Sequence, residues 1–112
     1  MEQTEVQEIS FQMILFAGDA RSLFIESLRG MIAGNYQLAQ EKYDQGVENL
    51  IKAHQAEADF ISSYASGKEA NLDIFLVHAN DHLTMAMVMQ ELCDELKPLI
   101  ETVNILKESQ KQ

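Results

Sequence analysis

Residues 72–96 read LDIFLVHANDHLTMAMVMQELCDEL, and the fold class turns on how this stretch is read. Phe75, His78, His82, Met85, Met89 and Leu92 follow one another at alternating intervals of three and four, and Leu96, Leu99, Val103 and Leu106 continue the series. That spacing puts all ten on one helical face, and at this length it is a coiled-coil seam. Leu76, Ala79, Leu83, Ala86 and Val88 add apolar surface outside the seam, more than one face of a single-chain bundle needs. Self-association is the expected consequence. Pro98 falls inside the pattern and should kink the helix or weaken one turn of it.

Working outward, this helix is expected over about residues 71–107, followed by a polar, frayed tail, ESQKQ. Upstream, Ile9, Met13, Phe16, Ala20, Leu28 and Met31 mark a first helix over about 4–33, ended by Gly34. Asn35 is a suitable N-cap for a second helix over about 36–66, along which Tyr43, Val47, Leu50, His54, Glu57, Ile61 and Tyr64 step at helical spacing. Ser66-Gly67 closes it. One proline, five glycines and no persistent alternation leave no place for strands. The expected architecture is all-α, a single domain over 1–112 forming an antiparallel up-down-up three-helix bundle that assembles as a homo-oligomer through coiled-coil-like packing.

Composition narrows the function. The 112 residues carry a formal net charge of −10, with eight Lys and Arg against eighteen Asp and Glu. No basic stripe exists to neutralise phosphates, so nucleic acid and anionic membrane surfaces are disfavoured partners, and basic proteins are favoured. The single cysteine, Cys93, fits a reducing compartment, and its acidic surroundings (QELCDELK) argue against a reactive thiolate. MEQTEVQE lacks the basic and apolar regions of a signal peptide, and no apolar run reaches membrane-spanning length, so a cytoplasmic location is expected.

The residues that need explaining are polar ones on the apolar stretch. His78 and His82 are one helical turn apart, and Asp81 stands between them, with LDIFLV before and LTMAMVM after. Burying two imidazoles and a carboxylate there costs free energy unless they are paired, hydrated or metal-bound. Three readings are open on spacing alone. They are polar residues fixing the register of a seam; a metal site in which His54 supplies the missing ligand; or a nucleophilic imidazole with the second histidine and the acid as its support.

The run LVHANDHLTMAMVMQEL closely resembles the active-site helix of the enzyme IIA subunits of the lactose/cellobiose type in the bacterial phosphoenolpyruvate-dependent sugar phosphotransferase system, which typically reads LVHAQDHLMTAM. GNYQLAQ, IKAHQAEADFI and SGKEAN match the family's first turn, middle helix and second turn, so the resemblance covers nearly the whole chain. It implies that His78 accepts a phosphoryl group from the phosphohistidine of HPr and passes it to a cysteine of the IIB subunit, in functional association with membrane IIC. It implies that His82 supports His78. It further implies a homotrimer in which Asp81 of each subunit faces the three-fold axis around a divalent cation, commonly Mg2+. Glu57 stands where the family usually has glutamine, a departure that puts that position's role in question. No GxxxxGK or GxGxxG loop is present, consistent with transfer that needs no nucleotide. A cellobiose-type β-linked disaccharide is favoured over lactose on general resemblance. The reading from a different class is a non-catalytic trimeric helical module with a structural metal in its His/Asp cluster.

Overall fold

A computed structural model describes residues 1–69 and 73–111. Three helices account for nearly all of them: α1 (Gln3–Ile32), α2 (Tyr36–Ala65) and α3 (Ile74–Gln110). No strand occurs among the described residues. The expected boundaries hold to within about three residues, and both turns close by the same device. Gly34 (φ +80°) donates its N–H to Met31 O at 2.9 Å while Asn35 N–H reaches Gly30 O at 2.8 Å. Gly67 (φ +97°) and Lys68 repeat those bonds to Tyr64 and Ser63. These are Schellman stops, and the left-handed backbone conformation at the residue just after each C-cap (Ala33 and Ser66) explains why glycine occupies it. Asn35 Oδ1 accepts from Leu38 N–H at 3.2 Å, capping α2 as expected.

Two boundaries of the third helix differ from expectation. Its anticipated start at Asn71 lies outside the described residues; the described helix begins at Ile74, with Asp73 as its cap, accepting from Phe75 N–H at 2.7 Å. Nor does the polar tail fray at Lys107. α3 continues through Glu108, Ser109 and Gln110, its assignment unbroken at Pro98, whose exposed position leaves the ring facing away from the core.

The helices run up, down and up, but they do not close a symmetrical bundle. α1 packs along its length against both neighbours, whereas α2 and α3 scarcely touch. The result is a rod of 66 × 21 × 18 Å with α1 in the middle. Val6, Met13, Ala17, Ala20 and Phe24 of α1 are the heart of the core. Small residues let the backbones approach: a Cβ on Gly46 would lie 2.7 Å from the Phe24 ring, and one on Gly30 would lie 3.2 Å from Ala39. Ser27, buried at that crossing, donates to Ala39 O at 2.7 Å and so carries no unpaired hydroxyl.

The seam of α3 requires correction. Within the chain the core positions are Leu76, Ala79, Leu83, Ala86 and Cys93, not the heptad series beginning at Phe75. Phe75, Met85, Leu92, Leu99, Val103 and Leu106 remain 40–59 % exposed. α3 thus carries two apolar stripes about one residue out of phase. One forms the core with α1, and most of the longer, more regular one is exposed, with His82, Met89 and Leu96 half-buried.

Candidate functional site

His78 and His82 project from adjacent turns of α3, near its N-terminal end. Their rings meet edge to face, centroids 4.5 Å apart and planes at 89°, with Nε2 of one 3.0 Å from Nε2 of the other. A neutral pair at that distance shares one proton: one Nε2 donates and the other accepts. His78 is exposed, while His82 is half-buried and its Nδ1 is fully enclosed without a hydrogen-bond partner.

Asp81 is exposed and takes part in no hydrogen bond or ion pair among the described residues. It does not orient either histidine. Its neighbours at helical spacing, Val77, Met85 and Val88, are large, apolar and 40–53 % exposed, so the carboxylate stands in the middle of an apolar outer face. Asn80 is turned back onto its own helix, donating to Leu76 O at 3.0 Å.

The contribution expected from α2 is not assembled within the chain. His54 and Glu57 are half-buried on α2, and neither bonds to the histidine pair. No three His, Cys, Asp or Glu side chains come together as a ligand set among the described residues, which removes the single-chain metal reading in which His54 completes a site. The physical reason is the sparse packing of α2 on α3. The wall beside the histidines comes instead from α1, which sequence reasoning along the motif missed. Gln7 donates to Asp73 at 3.4 Å, and Phe11 packs on Phe75 with centroids 5.1 Å apart.

Cations are few here. The ion pairs of the described residues, Lys42–Glu26 and Lys111–Glu108, both at 3.2 Å, belong to other parts of the molecule. Cys93 is excluded from the chemistry. It is buried, donates to Phe24 O at 3.3 Å, and burial together with the nearby Asp94 pushes its thiol up to about 11.

At the other end of the rod a pocket of about 510 Å³ opens between α2 and α3, floored by Met31, Ala39 and Cys93. Tyrosine hydroxyls cross it. Tyr43 donates to Asp94 at 2.7 Å and accepts from Gln90 at 3.2 Å, and Tyr36 accepts from Asn104 at 2.7 Å. Burial is the largest cause of a raised Tyr43 pKa. The pocket holds none of the motif residues. No helix among the described residues is long and apolar enough to cross a membrane.

The comparisons with known proteins agree with this fold. Residues 8–101 match the family described as PTS system, lactose/cellobiose specific IIA subunit. The lichenan-specific phosphotransferase enzyme IIA component of Bacillus subtilis (strain 168) is 32 % identical over 88 % of this chain and 90 % of that protein. The lactose-specific EIIA component of Staphylococcus aureus (strain N315) is 31 % identical over 86 % of this chain and 93 % of its own length. Among solved structures, the cellobiose-specific enzyme IIA from Bacillus anthracis superposes with a TM-score of 0.86, at 31 % identity and 94 % coverage of both chains. With family match, relatives and fold in agreement over most of its length, the chain belongs to the lactose/cellobiose-specific IIA family of the sugar phosphotransferase system, as an enzyme IIA component.

Proposed function

We propose that His78 is the phosphoryl acceptor and that the chain carries the group from phospho-HPr to the cysteine of its cognate IIB subunit, in the cytoplasm and in functional association with membrane IIC. The observation that carries this reading is the exposed His78 imidazole held by a half-buried His82. The direction of their shared hydrogen bond follows from the enclosed Nδ1 of His82. A bare lone pair is tolerated there at lower cost than an unpaired N–H. The proton of His82 therefore sits on Nε2 and is donated to His78 Nε2, whose lone pair is the nucleophile.

Transfer needs little covalent chemistry from the protein beyond that positioning. The His78 Nε2 lone pair forms the new N–P bond as the N–P bond to the donor imidazole breaks. Each ring keeps the proton on its other nitrogen, so the donor leaves as neutral imidazole. The His82 Nε2–H, released from His78, is then placed to donate to a phosphoryl oxygen. Both bonds are phosphoramidates, which makes the exchange nearly isoenergetic and independent of nucleotide. The acidic chain favours a basic donor, whose association rate falls with added salt.

The exposed stripe of α3 supports a homotrimer. Met85, Leu92, Leu99, Val103 and Leu106 keep heptad spacing and stay 40–59 % exposed on the outer face of α3. Asp81 lies on that face, and three copies would bring three carboxylates together. Hard oxygen donors of this kind suit a divalent cation such as Mg2+, which would neutralise their repulsion without entering the transfer. The sugar is a β-linked disaccharide of the cellobiose type. The relatives described above are named for lichenan, lactose and cellobiose, and two of the three are β-glucans or their fragments.

Incubation with phosphorylated HPr tests the reading: the chain acquires an acid-labile, alkali-stable phosphoryl group that is lost in His78→Ala. Label that persists in His78→Ala and disappears in His82→Ala would reverse the two roles. No transfer at all would return the chain to the reading of a non-catalytic trimeric module.

A further inference from the structure

Two aromatic rings stand half in solvent beside the histidine pair. Phe75 precedes His78 by three residues on α3, one helical turn, and so shares its face. Phe11 of α1 packs on Phe75 with ring centroids 5.1 Å apart, yet the two remain 52 % and 40 % exposed. A second contact fixes the alignment of the helices at this level. Gln7, one turn before Phe11, donates to Asp73, two residues before Phe75. A ring pair made for the core would be covered as Phe24 is, with no surface left to solvent.

Exposed aromatic side chains packed together mark a surface that another molecule covers. Self-assembly does not call for this pair, because Phe11 belongs to α1 and not to the α3 stripe of Met85, Leu92, Leu99, Val103 and Leu106. Phosphoryl transfer does call for it. The donor imidazole must reach His78 Nε2 for the N–P bond to be exchanged, so a protein seated there covers what lies one turn away. Charge gives the partner's other property. Residues 1–20 and 73–96 contain no Lys or Arg, and the carboxylates of Glu8 and Asp73 lie within one turn of Phe11 and Phe75 in sequence. The surface therefore has an apolar centre and an acidic rim.

We infer that Phe11 and Phe75 are the docking contact for the phosphoryl donor, a protein that presents its phosphohistidine amid apolar side chains with basic residues around them. The assignment rests on His78 being the acceptor. The rings touch no reacting atom and take no part in the bond exchange. They set the lifetime of the complex, while the carboxylates set how fast it forms.

Single-turnover phosphorylation of the intact chain by excess phospho-HPr tests this, read as the saturated rate and the donor concentration at half-saturation, with association and dissociation rates taken across a salt series. Helicity, melting and sedimentation are followed in parallel. His78→Ala is the blank, and Ile51→Gln, at an exposed position of α2, is the control for loss of a surface apolar side chain. Phe11→Gln and Phe75→Gln are each expected to raise half-saturation about tenfold through faster dissociation, with the salt dependence of association unchanged. Phe11→Leu should keep most of the affinity, and Ile51→Gln should match wild type. Phe75 is the more enclosed of the two rings, so if its variant loses helicity the result at Phe11 decides. Wild-type half-saturation in Phe11→Gln, with His78→Ala dead, would overturn the docking contact and leave the acceptor assignment intact. An effect confined to the saturated rate would make the rings a support for His78, and a loss of assembly would make them a subunit contact; either result overturns the inference. A wild-type chain that takes no label refutes the acceptor assignment and the inference together.

Discussion

The two ends of the rod solve the same packing problem differently. Far from the histidines, the gap between α2 and α3 is bridged from within: Tyr43 reaches Asp94 and Gln90, Tyr36 reaches Asn104, and Asn104 also donates to Met31 O at 2.8 Å. Close glycine contacts at Gly30 and Gly46 tighten the same end. At the histidine end no side chain crosses from α2 to the histidine pair, His82 Nδ1 is left without a partner, and Phe11, Leu15, Phe75 and Val77 stay exposed. A chain that satisfies its polar groups at one end has the means to do so at the other. Large apolar side chains are exposed at both ends, Ile32, Leu99, Ile105 and Leu106 among them, so the difference lies in the polar groups: bridged between helices at the far end and left open at the histidine end.

This contrast can be broken at either end. The largest effect is expected from His78→Ala, which should abolish phosphoryl acceptance, while His82→Ala should slow it by roughly 10²-fold or more through loss of one preorganised donor; rapid-quench phosphorylation reads both. Leu92→Glu combined with Leu99→Glu places charge on the exposed stripe and should convert the assembly to monomers that keep their helicity, measured by sedimentation and circular dichroism. Unchanged sedimentation would mean that the stripe is not the subunit interface. Phe24→Ala, at a fully buried ring packed on Gly46, should cost about 3–5 kcal/mol in urea unfolding at matched protein concentration. Tyr43→Phe removes the strut to Asp94 and should cost about 1 kcal/mol while leaving the transfer rate alone; a slowed transfer would show that the two ends are coupled.

The smallest effect concerns Cys93. Its thiol is pushed up to about 11 from an ordinary value of 9.0, so the folded state binds the proton more tightly than the unfolded one. The stabilising contribution is full below about pH 9 and is lost as pH rises towards 11. Cys93 should resist disulfide reagents at pH 8 in the folded protein and react fully in urea.

Much of this organisation was legible in the residues. Gly34-Asn35 and Ser66-Gly67 announced both turns because left-handed backbone and a side-chain cap demand particular residue types. The three helices followed from spacing. The core of α3 did not, since two apolar series run along that helix and periodicity alone favours the more regular one. Most of the more regular series is exposed, with His82, Met89 and Leu96 half-buried, and the less regular Leu76, Ala79, Leu83, Ala86 and Cys93 form the buried core. The histidine motif pointed to the site, and the resemblance already set Asp81 apart from the two histidines; in the structure it is exposed and bonded to neither. The motif did not name its neighbour. His54 of α2 was the residue offered to complete a metal site, yet α1 rather than α2 is the helix packed along α3.

The central claim is most directly tested by 15N NMR on the imidazole-labelled chain after phosphorylation by phospho-HPr. The shared proton and the enclosed His82 Nδ1 require phosphorus on Nε2 of His78, with the phosphorus coupling and the large 15N shift confined to that nitrogen. Phosphorus on Nδ1 of His78, or on His82 or His54, would contradict the account.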